Sequence, residues 1–205
     1  MANANVARGL VPYRYTWGQP YNGSANVYSI PSSYGTALYV GDPVDIKSGS
    51  NDANGIPSCI LGTVGSPFLG VVVGVVDAGQ PVVAVTRDLP VYHAASTAGY
   101  ILVADDPNLL FMVQDDASAQ ATAPNLWAGK NASLVSGSGS TTTGWSGWQM
   151  AASTVATTNT LDVKIVSPLQ QADNTIGSSA NTNMNAKWLV KFNNSRWGNL
   201  IAGIT

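Results

Sequence analysis

The sequence predicts an all-β protein: a single sandwich, jelly-roll or barrel domain. Three observations carry this. All eleven acidic residues are Asp and none is Glu, and Asp favours turns and caps where Glu favours helix interiors. The chain holds 21 Gly and 11 Pro, alongside abundant Val and Thr, a composition of turns and strands. Short apolar runs recur at the 8–12-residue spacing of sandwiches and barrels, and no amphipathic stretch reaches helix length. The best helix candidate, 116–127, is limited to two turns by Pro124.

Read in chain order, residues 1–22 form an extended N-terminal arm. Tyr13, Tyr15 and Trp17 alternate with Arg14 and Thr16, and Tyr21 follows Pro20, the period-2 pattern of a strand with one buried face. The segment before Leu10 lacks any partner pattern, so it is expected to be mobile or laid on a neighbour. Residues 23–193 form the β domain. Its expected strands are 25–30, 37–40, 44–47, 57–61, 68–76, 82–86, 89–93, 99–103, 109–114, 133–135, 147–150, 160–166 and 187–192. The run 68–76 is apolar apart from Gly70 and Gly74. It therefore reads as a strand buried on both faces, with a bulge or close backbone approach at the glycines. Gly41-Asp42-Pro43, Ala53-Asn54-Gly55 and Asp105-Asp106-Pro107-Asn108 pair permissive and ring-locked residues as turns require. The Gly/Ser-rich stretch 137–147 has linker composition. The remaining chain holds too few strands for a second core, so this stretch reads as a surface loop. Residues 194–205 form a C-terminal tail.

Charge narrows the function classes. Charged residues are 10% of the chain, against about 25% in typical soluble domains. With a net charge of −2 and no basic stripe, nucleic acid is not an expected partner. No apolar stretch approaches the roughly 20 residues of a membrane span, and no apolar signal-peptide core precedes Leu10. Synthesis in the cytoplasm is expected. The single cysteine, Cys59, leaves no internal disulfide and reads as a buried, inert thiol.

The sequence offers little reactive chemistry, and no catalytic, cofactor or metal residue is expected. The single histidine, His93, lies in VYHAAS, and no serine occupies a G-x-S-x-G elbow. One His and one Cys cannot supply a Cys/His zinc site. Asp105-Asp106 and Asp115-Asp116 bracket one strand of six residues, which sets them about 20 Å apart. That exceeds the ~5–9.5 Å of paired glycosidase carboxyls, so both pairs read as turn formers, with surface calcium as the alternative. Gly70–Gly74 has neither the order nor the following helix of a phosphate loop. The triplets starting at Asn22, Asn131 and Asn193 are chance glycosylation matches.

Aromatics supply the positive signal. Amphipathic rings anchor protein interfaces, and the candidate interface residues are Tyr13, Tyr15, Trp17, Tyr21, Trp145, Trp148 and Trp197, together with Leu200, Ile201 and Ile204 of the tail. Each of these last three can contribute ~1.5–3 kcal/mol when buried on a partner. Trp145 and Trp148 are expected as an exposed pair. With Tyr92 they would form the platform of the alternative, a host-surface or glycan-binding β-sandwich.

Several blocks resemble the cement proteins that decorate the heads of some tailed phages: MANAN at 1–5, LYVGDPV at 38–44, FLGVVVGV at 68–75 and VYHAASTAGYILVADDPNLLFMVQ at 91–114. Further blocks are NASLVSGSGSTTTGWSGWQM at 131–150, NTLDVKIVSPLQQADNTIG at 159–177 and NAKWLVKF at 185–192. Together they cover most of the chain, but the tail after Phe192 has no counterpart. The resemblance implies a jelly-roll β-sandwich without catalytic residues. It also implies oligomers, dimers in similar cases, bound to the major capsid protein on the outer surface of an icosahedral head.

Overall fold

The structure, a computed structural model, describes residues 3–76 and 90–198, and it is all-β. Its strands are β1 (Val11–Tyr15), β2 (Asn26–Ile30), β3 (Leu38–Tyr39), β4 (Pro43–Asn51), β5 (Pro57–Leu61), β6 (Gly70–Val76) and β7 (Tyr92–His93). They continue as β8 (Gly99–Ala104), β9 (Leu109–Gln114), β10 (Asn131–Ala132), β11 (Leu134–Val135), β12 (Gln149–Met150), β13 (Val163–Pro168) and β14 (Lys187–Phe192). The helix candidate 116–127 contains only a 3-10 turn, Pro124–Leu126. Expected strand 82–86 lies outside the described residues, as does residue 89 of the expected 89–93.

Two bodies of strand pairing make up the fold. β2, β5, β4, β6 and β8 close into a barrel, while β1, β9, β14, β13 and β10 form an open five-stranded sheet. β3–β7 and β11–β12 are two-stranded ribbons beside them. A barrel has no edges, and the chain itself covers both edges of the open sheet. Outside β1, Tyr15 donates its amide to Gln19 O and Tyr21 its amide to Tyr13 O. Outside β10, Asn131 and Ala156 exchange both backbone hydrogen bonds.

β6 explains how the bodies join. Val72 and Val75 point into the barrel beside Tyr28, Ile30, Val44, Cys59, Ile101 and Val103. Val71 faces the other way, into the core shared with the sheet residues Phe111, Val113, Val163, Ile165, Trp188 and Val190. A strand with apolar surroundings on both sides needs no polar alternation, and the expectation of a doubly buried strand holds. The pairing of β6 with β8 shifts register between Val72 and Gly74, the bulge that Gly74 suggests. At Gly70 a side chain would run into the backbone of Ala104 and Asp105.

The N-terminal segment corrects the expectation of an arm outside the domain. Its residues 11–15 are an edge strand of the five-stranded sheet, and Leu10 and Tyr15 are buried in the shared core. Asn3 is buried as well: its side chain donates to Thr175 O, Asn183 O and Met184 O and accepts from the Thr175 amide. Gln114, at the end of β9, accepts from Val6 N and donates to Ala4 O, standing in for a paired strand. The segment lies on its own body because Gln114 satisfies backbone groups of the segment and Asn3 satisfies those of residues 175, 183 and 184.

Candidate protein interface

The expected interface residues fall into two surface groups and the interior. The first group surrounds Asp105. Its carboxylate accepts from Tyr28 OH at 2.6 Å, from Asn26 Nδ2 at 2.9 and 3.0 Å, and from Trp197 Nε1 at 3.4 Å. The 16–19 turn is tied to the same end by Thr16 N, which donates to Asn108 O. Trp17 stacks on buried Tyr15, with ring centroids 4.9 Å apart and planes 4° from parallel. It remains 61% exposed, and Trp197 51%. Tyr21 is half-buried against the core, and burial, with smaller contributions from Tyr15 and Asp105, raises its pKa. A cleft of about 390 Å³ opens here between Pro107, Asn108, Lys191, Phe192 and Trp197.

The second group joins the N-terminal segment to the loop 137–147. Arg8 lies over the Trp145 ring, 5.7 Å from its centroid, and Trp145 is 36% exposed. Val6, Arg8, Ser140, Thr143 and Trp145 line a cleft of about 330 Å³. The loop is a surface loop as expected, yet it is fixed. Val40 N donates to Gly144 O and Ser146 N to Val40 O, both at 2.9 Å, so Trp145 is held by a backbone ladder.

Tyr13 is 43% exposed and does not share a face with Tyr15. The pairing of β1 with β9 shifts between Pro12 and Arg14, which leaves Tyr13 as the extra residue of a bulge. Trp148 corrects the expectation of an exposed pair. It is buried in the shared core and meets Phe68 edge-on at 6.5 Å, so it offers no stacking surface to a sugar. Tyr92 is half-buried and stacks on Tyr39 at 5.2 Å. Leu200, Ile201 and Ile204 lie outside the described residues.

The titratable groups are tied into structure. Asp115 Oδ1 accepts from Ala117 N and Asn185 N, and Oδ2 from Ala186 N and Trp188 Nε1. Burial pushes its pKa up, and the indole and amide donors pull it back. Asp116 Oδ1 accepts from Ser118 N, Ser118 Oγ and Ala152 N. Lone pairs of both carboxylates are thus engaged by N–H and O–H donors, and among the described residues no group of three His, Cys or Asp side chains is placed to hold a metal. Among the described residues buried His93 has no hydrogen-bond partner on either ring nitrogen, and burial lowers its pKa. Cys59 is fully buried inside the barrel, as expected, and burial raises its pKa.

Sequence reasoning missed three surface features. Val6 and Val91 are exposed beside Trp145 and its loop. Cations line the outer face of the five-stranded sheet. The signal for these was present in Lys164 and Val166, which alternate with buried Val163 and Ile165. No helix among the described residues is long and apolar enough to cross a membrane. No protein-family model, curated protein or solved structure matches the chain.

Proposed function

We propose that this protein is a non-enzymatic structural component of a virion. On this reading it binds the outer surface of an icosahedral tailed-phage head and cements neighbouring major capsid subunits, acting as a homo-oligomer, with a dimer favoured. The observation that carries the reading is how the six tryptophans divide. Trp127, Trp148 and Trp188 fill the core, while Trp17, Trp145 and Trp197 stand outside it on fixed backbone. Large rings exposed on a body whose own core is complete are the usual anchors of protein interfaces. Scarcity of charge favours the same role, because little desolvation accompanies covering such a surface. Several weak contacts become firm when one oligomer engages several lattice sites. The jelly-roll connectivity that the resemblance implies is part of this proposal.

The test is co-sedimentation of the purified protein with tailed-phage heads assembled without it. Wild type is expected to pellet with the heads. The triple variant Trp17→Ala, Trp145→Ala, Trp197→Ala is expected to lose at least tenfold in apparent affinity while its circular dichroism is unchanged. Wild type that stays in the supernatant at every concentration overturns the reading.

A further inference from the structure

The outer face of the five-stranded sheet carries four of the chain's nine basic residues: Arg14, Lys164, Lys187 and Lys191. Val163, Ile165, Val190, Phe192 and Phe111 point into the shared core, so strand alternation turns Lys164, Lys191 and Leu110 to the opposite face. Register then sets them in one row: Lys164 is directly across from Lys191, and Arg14 is across from Leu110 on the next strand pair. Lys187 stands on the same face of β14, two alternations from Lys191. Lys187 pairs with Asp173 at 2.7 Å; among the described residues Lys164, Lys191 and Arg14 have no carboxylate partner. Met112, half-buried, and Val166, exposed, supply apolar surface on these strands.

Two lysines directly opposite each other on neighbouring strands destabilise a sheet. This chain has only nine basic residues, and a fold so sparing with charge gains nothing internally from spending two of them that way. We infer that this face, centred on Lys164, Lys191 and Arg14, is a docking surface for an acidic protein surface, whose carboxylates neutralise the row while apolar side chains pack on Met112 and Val166. Charge complementarity argues for that occupant. Three cations interleaved with apolar side chains match an interface patch, whereas a nucleic-acid footprint spreads over more phosphate contacts and lacks the apolar surface. The inference rests on the proposed cementing role and names the docking face and the chemistry of the capsid surface it meets.

The experiment uses the full chain and heads assembled without it, at low and high salt. Lys164→Gln/Lys191→Gln is expected to bind at least tenfold more weakly than wild type at low salt and to lose most of the wild type's salt dependence. Lys164→Asp separates binding from folding. It creates a cross-strand ion pair with Lys191, so its melting temperature should equal or exceed that of wild type while head binding falls further. Wild-type heads occupancy matched by both variants overturns the docking face and leaves the cementing role standing. Failure of wild type itself to bind heads removes both. A 30-base-pair DNA duplex is the control: wild-type binding to it that is lost in the same variants overturns the acidic-protein occupant.

Discussion

Asp115, just past the end of β9, fixes local geometry through its carboxylate. It gathers four donors from the 117 and 185–188 regions. Asp115→Ala would leave two to three buried N–H groups unpartnered, each costing about 1–3 kcal/mol. Urea denaturation is therefore expected to show a loss of roughly 3 kcal/mol or more. Asp42 is a pH-sensitive residue. Burial raises its pKa to about 6 against the opposing hydrogen bonds from Ser146 and the Tyr39 amide. Because the folded state holds its proton more tightly than the unfolded chain, stability from this group is full below about pH 4, falls as pH rises to about 6, and is flat above. Asp42→Asn should remove that decline, and melting temperatures of the two proteins compared at pH 4, 5, 6 and 7 would show it. A difference that does not vary with pH would assign Asp42 a neutral role. The tryptophans give a third contrast. Trp148→Ala should cost about 3–5 kcal/mol as a cavity in the core, whereas Trp145→Ala should stay within about 0.5 kcal/mol.

At the level of elements, legibility followed the strength of the boundary signals. Residues 57–61, 109–114 and 187–192 are strands over the expected spans; the second is bracketed by its Asp pairs. Expected strand 160–166 instead begins at Val163, because Asp162 turns inward to accept from Gly65 N and Leu134 N. The two-residue strand Asn131–Ala132 carries no period to read. The N-terminal segment was legible as extended but not as docked, since what holds it is two amide side chains, Asn3 and Gln114, distant in sequence. Gln114→Ala should loosen it locally without unfolding the body, seen as at least tenfold faster hydrogen exchange at the Val6 amide. Unchanged exchange there would mean that the amide is protected by packing alone.

For the molecule as a whole, composition was enough to place it among all-β folds. It was not enough to separate an open sheet from a closed barrel, because closure depends on β2 meeting both β5 and β8, a pairing between distant segments. The candidate surface was half legible. Aromatic type pointed to Trp17, Trp145 and Trp197, but the same signal selected Trp148 and Tyr15, which the core absorbed. Glycine-rich flanks made Trp148 look exposed, yet Gly137 and Gly147 are there because their backbones pack too closely for a Cβ.

The self-covered margins of the five-stranded sheet have a consequence for many copies held side by side. Unpaired strands at such density would template one another into filaments or aggregates. Here the 19–21 return and the residue-156 bridge occupy backbone groups at the two margins of that sheet, so copies brought together at those margins would meet there through side chains. On the proposed cementing role, contacts at those margins would be set by where rings and charges sit, with no strand to exchange.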